Sequence, residues 1–102
     1  MSQYITHSDA AAQTNTVLAT AAGTGRTYGV KSIFFTADSA LSLIIYSGTG
    51  VVLWRQYTAA GGTQAMTAED DGYLFKTLPG DTLTYSTVGT GNTFLALNLV
   101  DI

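Results

Sequence analysis

Short runs of alternating apolar and polar residues follow one another along the chain, and the most pronounced lie between residues 40 and 57. Two runs rich in β-branched and aromatic residues, ALSLIIY and VVLWRQY, flank the tetrapeptide Ser-Gly-Thr-Gly. Glycine supplies the positive φ angle that a tight reversal needs, so the segment predicts a β-hairpin. The strand period of two places Leu41, Leu43 and Ile45 on one face, which we expect to build the interior.

Neither run of this hairpin has a fully polar face, which is unusual for an antiparallel sheet with one side in water. We therefore expect its second face to meet another layer, another subunit or a partner. Alternation puts Trp54 on one face of the second run, with Arg55 and Tyr57 on the other, and either set could complete this contact. The predicted oligomer or partner interface comprises Ile44, Tyr46, Trp54, Arg55 and Tyr57. The alternative interpretation is an aromatic platform for a sugar, formed by Tyr46, Trp54, Tyr57, Tyr73 and Phe75.

Similar runs predict further strands at residues 16–22, 27–37, 63–66, 73–78, 82–87 and 93–100. Glycine-containing turns separate them, and Pro79-Gly80 fits the two central positions of a type II turn. No segment has a helical period of useful length. Short strands at near-even spacing are typical of all-β sandwiches and barrels. We predict a single jelly-roll β-sandwich of about eight antiparallel strands, with an immunoglobulin-like Greek key as the second choice.

The first thirteen residues are polar and rich in alanine, which predicts an N-terminal arm ordered only by its contacts. Within it, Gln3 to Thr6 could form a short strand, and Ser8-Asp9 could cap one helical turn at residues 10–12. Residues 14–102 then form the sandwich domain. At 102 residues the chain has the size of one domain.

Charged residues make up only 11% of the sequence, less than half of the roughly 25% found in ordinary soluble domains. Much of the surface must therefore be covered by uncharged side chains or by neighbours, which favours a subunit of an assembly. The net charge of −3 and the four cations argue against nucleic acid and anionic membranes as partners. The chain has no cysteine, no secretory signal pattern and no apolar stretch of membrane-spanning length.

Three Gly-Thr-Gly triplets, at residues 23–25, 48–50 and 89–91, are candidates for phosphate-binding loops. A phosphate loop needs a helix N-terminus after it, whereas a predicted strand follows each triplet. We therefore interpret the triplets as turns.

The single histidine, His7, is followed by Ser8 and Asp9, but neighbours in sequence do not converge as a catalytic triad must. We expect His7 to be a solvated surface residue. The acidic run Glu69-Asp70-Asp71 is either a solvated loop or a calcium or subunit-interface site, and its spacing does not match a twelve-residue calcium loop. We predict no enzymatic activity, no catalytic residues, no cofactor and no metal site.

The segment VLATAAGTGRTYGVKSI, at residues 17–33, resembles the opening of small jelly-roll virion proteins of tailed bacteriophages. The steps DGYLF at 71–75 and PGDTL at 79–83 fit the same pattern, so the similarity covers roughly residues 14–100. The resemblance implies a capsid decoration (cement) protein, or a related head or fibre component. It also implies a homotrimer that clamps the outside of the shell at junctions between major capsid subunits, partly through an N-terminal arm. Such a protein is made in the host cytoplasm and resides on the capsid surface. A carbohydrate- or receptor-binding module of a phage fibre or lectin is the alternative.

Overall fold

A computed structural model describes residues 2–20, 24–69 and 72–101, which contain nine β-strands and no helix. The strands are β1 (Ser2–Asp9), β2 (Thr16–Ala19), β3 (Tyr28–Ala37), β4 (Leu41–Ser47), β5 (Val51–Thr58), β6 (Thr63–Thr67), β7 (Phe75–Lys76), β8 (Leu83–Val88) and β9 (Thr93–Asp101). Of the strand predicted at 16–22, residues 16–19 form β2, and residues 21 and 22 lie outside the described residues. The strand predicted at 73–78 is shorter than expected, with two residues.

The strands form two antiparallel sheets packed face to face. The order in the first sheet is β1-β9-β3-β6, with β7 also paired to β3, and the order in the second sheet is β2-β8-β4-β5. Because β6 and β7 pair with successive parts of β3, they share one strand position. The chain therefore fills eight positions, and the strands from β1 to β4 alternate between the sheets. This is the double Greek key of a jelly roll, so the predicted fold class is confirmed.

The core lies between the sheets and follows the period of two. Leu41, Leu43 and Ile45 are at most 2% exposed, as the hairpin pattern predicted. They meet the inward side chains of the first sheet, which are at most 3% exposed: Val30, Ile33, Phe35, Leu95, Leu97 and Leu99. Each such side chain contributes about 1.5–3 kcal/mol by its removal from water.

Ser47 joins the β4–β5 hairpin to the corner that contains Pro79-Gly80. Its buried hydroxyl donates to Asp81 Oδ2 at 2.7 Å and accepts the Leu78 N–H at 2.9 Å. The Gly48 N–H donates to the Thr82 carbonyl at 2.7 Å. These bonds hold the hairpin turn against the start of β8.

Residues 2–9, predicted as part of an arm, form the edge strand β1 of the first sheet. All eight residues pair with β9, from Ser2 opposite Val100 to Asp9 opposite Thr93. Ile5 packs against the core as the strand's apolar contribution. The strand is held mainly by backbone hydrogen bonds to β9, which any side chain permits, so a polar composition is compatible with it.

Tyr85 connects β1 to the second sheet. Its ring is 1% exposed, its hydroxyl donates to Asp9 Oδ2, and His7 meets the ring edge-on with 5.5 Å between ring centroids. His7 is therefore half-buried against an aromatic ring, and the expectation of a solvated histidine was wrong. Burial, and then the hydrogen bond and charge of Asp9, raise the pKa of Tyr85 well above its ordinary value.

This environment predicts a stability that falls as the pH rises above about 10, the ordinary tyrosine pKa. Above that pH the unfolded chain releases the Tyr85 proton while the folded chain keeps it. The free energy of unfolding therefore falls as the pH rises further. Below it both states hold the proton and the contribution is constant. We expect Tyr85→Phe to lower the free energy of unfolding at pH 7 by about 1.5–3 kcal/mol, through loss of a charge-assisted hydrogen bond.

The measurement is urea unfolding of both proteins at a series of pH values from neutral to strongly alkaline. The Tyr85→Phe protein keeps the ring and every other tyrosine, so the difference between the two proteins reports the titration of the Tyr85 hydroxyl alone. Its stability should decline less steeply than that of the wild type in the alkaline range. If the free energy of unfolding of both proteins fell equally steeply with pH, the raised pKa of Tyr85 would not be the cause of the alkaline loss of stability.

Candidate functional site

The register of the second sheet assembles a continuous outer face. Directly opposed residues of an antiparallel pair project to the same side of the sheet. Ile44 is paired with Arg55 on β5 and with Ser86 on β8, and Ser42 is paired with Tyr57 and Val88. The outer face of the second sheet, as the term is used below, comprises Val17, Ser42, Ile44, Tyr46, Val52, Arg55, Tyr57, Thr84, Ser86 and Val88.

Four of the five predicted interface residues lie together on this face: Ile44, Tyr46, Arg55 and Tyr57. Trp54 is paired with the buried Ile45 and projects toward the interior. A register shift opposite Ile45 and Tyr46 leaves Leu53 as an extra residue on β5. Sequence alternation left open whether Trp54, or Arg55 and Tyr57, would share a face with Ile44. The structure places Arg55 and Tyr57 on that face.

The outer face of the second sheet is partly apolar and almost uncharged. Four of its hydrophobic side chains are strongly exposed: Val17 at 48%, Val52 at 45%, Tyr57 at 64% and Val88 at 62%. Ile44, at the centre, is only 8% exposed because its neighbours cover it. Arg55 supplies the charge of this face, and the one ion pair among the described residues, Arg26 with Asp101 at 2.8 Å, does not involve it. Such a face can bury apolar area against a partner but holds no carboxylate for acid–base chemistry.

A groove opens between the sheets on the side where β5 and β6 are the edge strands. Its volume is about 450 Å³. Inward side chains of three strands line it: Ile33, Trp54, Gln56, Gln64 and Met66. The Trp54 indole N–H donates to Gln56 Oε1 at 2.7 Å, and the ring packs on Phe75 with 5.4 Å between centroids. We call this feature the inter-sheet groove.

Trp54 was among the predicted interface residues, whereas the two glutamines of this groove were not predicted to belong to a site. Gln56 follows Trp54 by two positions, and Gln64 precedes Met66 by two, so each shares a face with an apolar side chain. A polar amide on the inward face of a strand is the signal that could have indicated a site, because buried polar groups require partners.

The described residues contain no group of three or more histidine, cysteine, aspartate or glutamate side chains placed to hold a metal ion. The candidate calcium site at Glu69-Asp70-Asp71 depends on Asp70 and Asp71, which lie outside the described residues. In the described ranges there is also no helix long and apolar enough to cross a membrane.

No protein-family model matches the chain, and no curated protein sequence matches it. Solved structures do. A Bacillus endospore appendage protein, of a family of disulfide-linked pili, is 17% identical, with a TM-score of 0.52 over 96% of this chain and 85% of that chain. A cyanophage capsid asymmetric unit is 13% identical, with a TM-score of 0.50 over 97% and 82%. The nucleoplasmin-like N-terminal domain of a Drosophila protein is 12% identical, with a TM-score of 0.52 over 100% and 92%.

At these identities the likeness concerns the fold. The chain shares a small β-sandwich with a phage capsid component, a pilus subunit and a nucleoplasmin-like domain. These similarities show a compact β-sandwich, and they identify no particular family.

Proposed function

We propose that the protein is a non-enzymatic structural subunit of a bacteriophage virion. In this role it is a capsid decoration (cement) protein that binds the outside of the shell as a homotrimer. The observation that carries the proposal is the outer face of the second sheet, which exposes apolar side chains and has one charge. The fold that the chain shares with a cyanophage capsid component supports a virion role. The phage-like segments at residues 17–33, 71–75 and 79–83 support it as well.

Copies of the chain would associate by burying the outer face of the second sheet. Exposed apolar side chains such as Tyr57 and Val88 gain about 25 cal/mol for each Å² removed from water. A stable interface of standard size buries about 1,600 Å² in total, about half of it from each partner. The polar residues of the face, such as Ser42 and Ser86, are small and neutral, so covering them requires no removal of charge from water.

Shell stabilisation then follows from mass action. A protein that binds only the assembled shell stabilises it by RT ln(1 + [L]/Kd), about 2.7 kcal/mol at a free concentration one hundred times the Kd. No catalytic group is needed for this effect.

The test is co-sedimentation. The protein is co-expressed with the major capsid protein encoded in the same genome, and the shells are pelleted through a sucrose cushion. We expect the protein in the shell pellet at a fixed ratio to the capsid protein. Its absence from the pellet, with intact shells present, would contradict the proposal.

A further inference from the structure

Strand β6 forms an open edge of the first sheet. Among the strands of the described ranges only β3 is paired with it, and all five residues of β6 are exposed. Folded proteins usually protect such an edge with a charged side chain, a proline or a bulge, because its backbone groups can pair with another strand. β6 has none of these, since its sequence is Thr-Gln-Ala-Met-Thr and its pairing with β3 has no register shift.

The other strands at the edges of the two sheets carry a charge or a register shift. β1 ends at Asp9, and β2 has a register shift after Val17. β5 has both Arg55 and the extra residue Leu53. Of the edge strands in the described structure, β6 is therefore the one with neither form of protection.

The printed ends of the ladder between β6 and β3 show which backbone groups of β6 are free. Just before β6, the Ala37 N–H donates to the Gly62 carbonyl at 3.3 Å. Just after β6, the Ala68 N–H donates to the Lys31 carbonyl at 2.7 Å. Hydrogen-bonded pairs recur at every second residue of an antiparallel ladder, so the even-numbered residues of β6 are the ones bonded to β3.

The odd-numbered residues, Thr63, Ala65 and Thr67, therefore direct their N–H and C=O groups away from β3 and toward the free edge. Their side chains project to the outer side of the first sheet, since Met66, on the opposite side, is paired with the buried Ile33. Backbone donors and acceptors that alternate along an edge are complementary to an extended polypeptide strand.

We propose that β6 pairs antiparallel with β6 of a second copy of the chain, about a two-fold axis that passes between the two Ala65 residues. The sequence of β6 suits this pairing because it has a threonine at each end and is uncharged. Thr63 of each copy faces Thr67 of the other, and threonine pairs are favourable across strands. Gln64 faces Met66 on the inward side, so pairing covers part of a Met66 side chain that is 54% exposed.

The charge next to β6 favours the antiparallel arrangement. Glu69 follows the strand by two residues, whereas the uncharged Gly61 and Gly62 precede it. Antiparallel pairing places Glu69 opposite Gly61 of the second copy. A parallel pair would instead bring the two Glu69 side chains together, and like charges repel.

Pairing through a five-residue edge is weak, so we expect a Kd of about 1 mM and no pairing at micromolar concentration. The contact uses no side chain of the outer face of the second sheet, so it does not depend on the homotrimer proposed above. On a shell, as the proposed function has it, neighbouring copies are held close together, and a weak contact becomes effective at high local concentration.

The experiment traps the pair with a disulfide in a chain that has no cysteine of its own. Ala65→Cys places two thiols beside the two-fold axis, with Cα atoms about 5.5 Å apart, a separation that a disulfide spans. Thr63→Cys is the matched control on the same side of the same strand, because its two copies would lie about 13 Å apart. At about 1 mM protein with oxidised glutathione, Ala65→Cys should form the covalent dimer at least about ten times faster than Thr63→Cys. Equal rates for the two variants would overturn the proposal.

A second measurement tests the register and the backbone pairing. Thr63→Cys and Thr67→Cys, one of them isotopically labelled, are oxidised as an equal mixture, and mass spectrometry should find mainly the mixed dimer. Ala65→Pro, added to both, removes an N–H from the free edge and leaves the ladder with β3 intact, so the mixed dimer should disappear. A random distribution of dimers, or a mixed dimer that persists with Ala65→Pro, would contradict the pairing.

Discussion

Tyr57→Asp combined with Val88→Asp is expected to convert the assembled protein into monomers. The two side chains flank Ser42 in one row across three strands, and they are 64% and 62% exposed. In an assembled interface their carboxylates would be buried without partners, at a cost of several kcal/mol. Since about 1.4 kcal/mol is a factor of ten, association should weaken by at least about a hundredfold. The fold itself should lose no more than about 1 kcal/mol, because both positions are exposed in the single chain.

The measurement is sedimentation velocity at micromolar concentration, together with urea unfolding of the same samples. The wild type should sediment as a trimer, about three times the chain mass of 10.7 kDa. The control is Tyr4→Asp combined with Thr6→Asp, which adds the same charge to the outer side of β1 in the first sheet and should leave the trimer intact. A wild-type monomer, or a Tyr57/Val88 variant of unchanged mass, would count against the assembly role of this face.

Ile44 is a less suitable position for such a test. Ile44→Lys should also weaken association, but Ile44 is 8% exposed in the single chain. Part of the effect of a lysine would therefore fall on the fold, since its stem and charge must displace the neighbouring side chains.

Gly89→Ala is expected to lower the free energy of unfolding by about 2–4 kcal/mol. Gly89 has a φ of +117°, a conformation that is strained for any residue with a side chain. A Cβ atom there would lie 2.8 Å from Leu41 Cβ, and Leu41 is 2% exposed within the core. The turn between β8 and β9 would have to shift, or the start of β4 would have to move outward.

Gly50→Ala is the matched control for this variant. Gly50 also lies in a tight turn, but it has no positive φ and its Cβ would meet nothing within 4 Å. Its replacement should change the stability by less than about 1 kcal/mol, and toward stabilisation, because alanine restricts the unfolded chain. Urea unfolding compares the two variants, and a loss for Gly89→Ala no larger than that for Gly50→Ala would refute the packing argument.

Local patterns were sufficient to predict most of the fold. The hairpin of β4 and β5 was predicted because its alternation and its glycine turn are both encoded in a few neighbouring residues. The same holds for β9, where Leu95, Leu97 and Leu99 are inward as the period of two requires. For β1 the local sequence left a short strand at residues 3–6 and an arm both open, because its place in the sheet depends on pairing with β9 at the other end of the chain.

The candidate sites were harder to predict for a related reason. The extra residue Leu53 reverses the direction of Trp54 relative to Tyr46, and nothing in the local sequence marks this bulge. The inter-sheet groove combines the edges of β5 and β6, so it exists only once the two sheets have packed. Side-chain direction within a regular strand follows from the local sequence. Which side chains of β5 and β6 come together between the sheets depends on the order of the strands in both sheets.

Co-sedimentation with shells of the capsid protein from the same genome is the decisive measurement of whether the protein is a virion subunit. We expect the wild type to pellet with the shells at a fixed ratio, and the Tyr57/Val88 double variant to pellet far less. Shells that pellet without any bound wild-type protein would show that the protein is not a subunit of the virion.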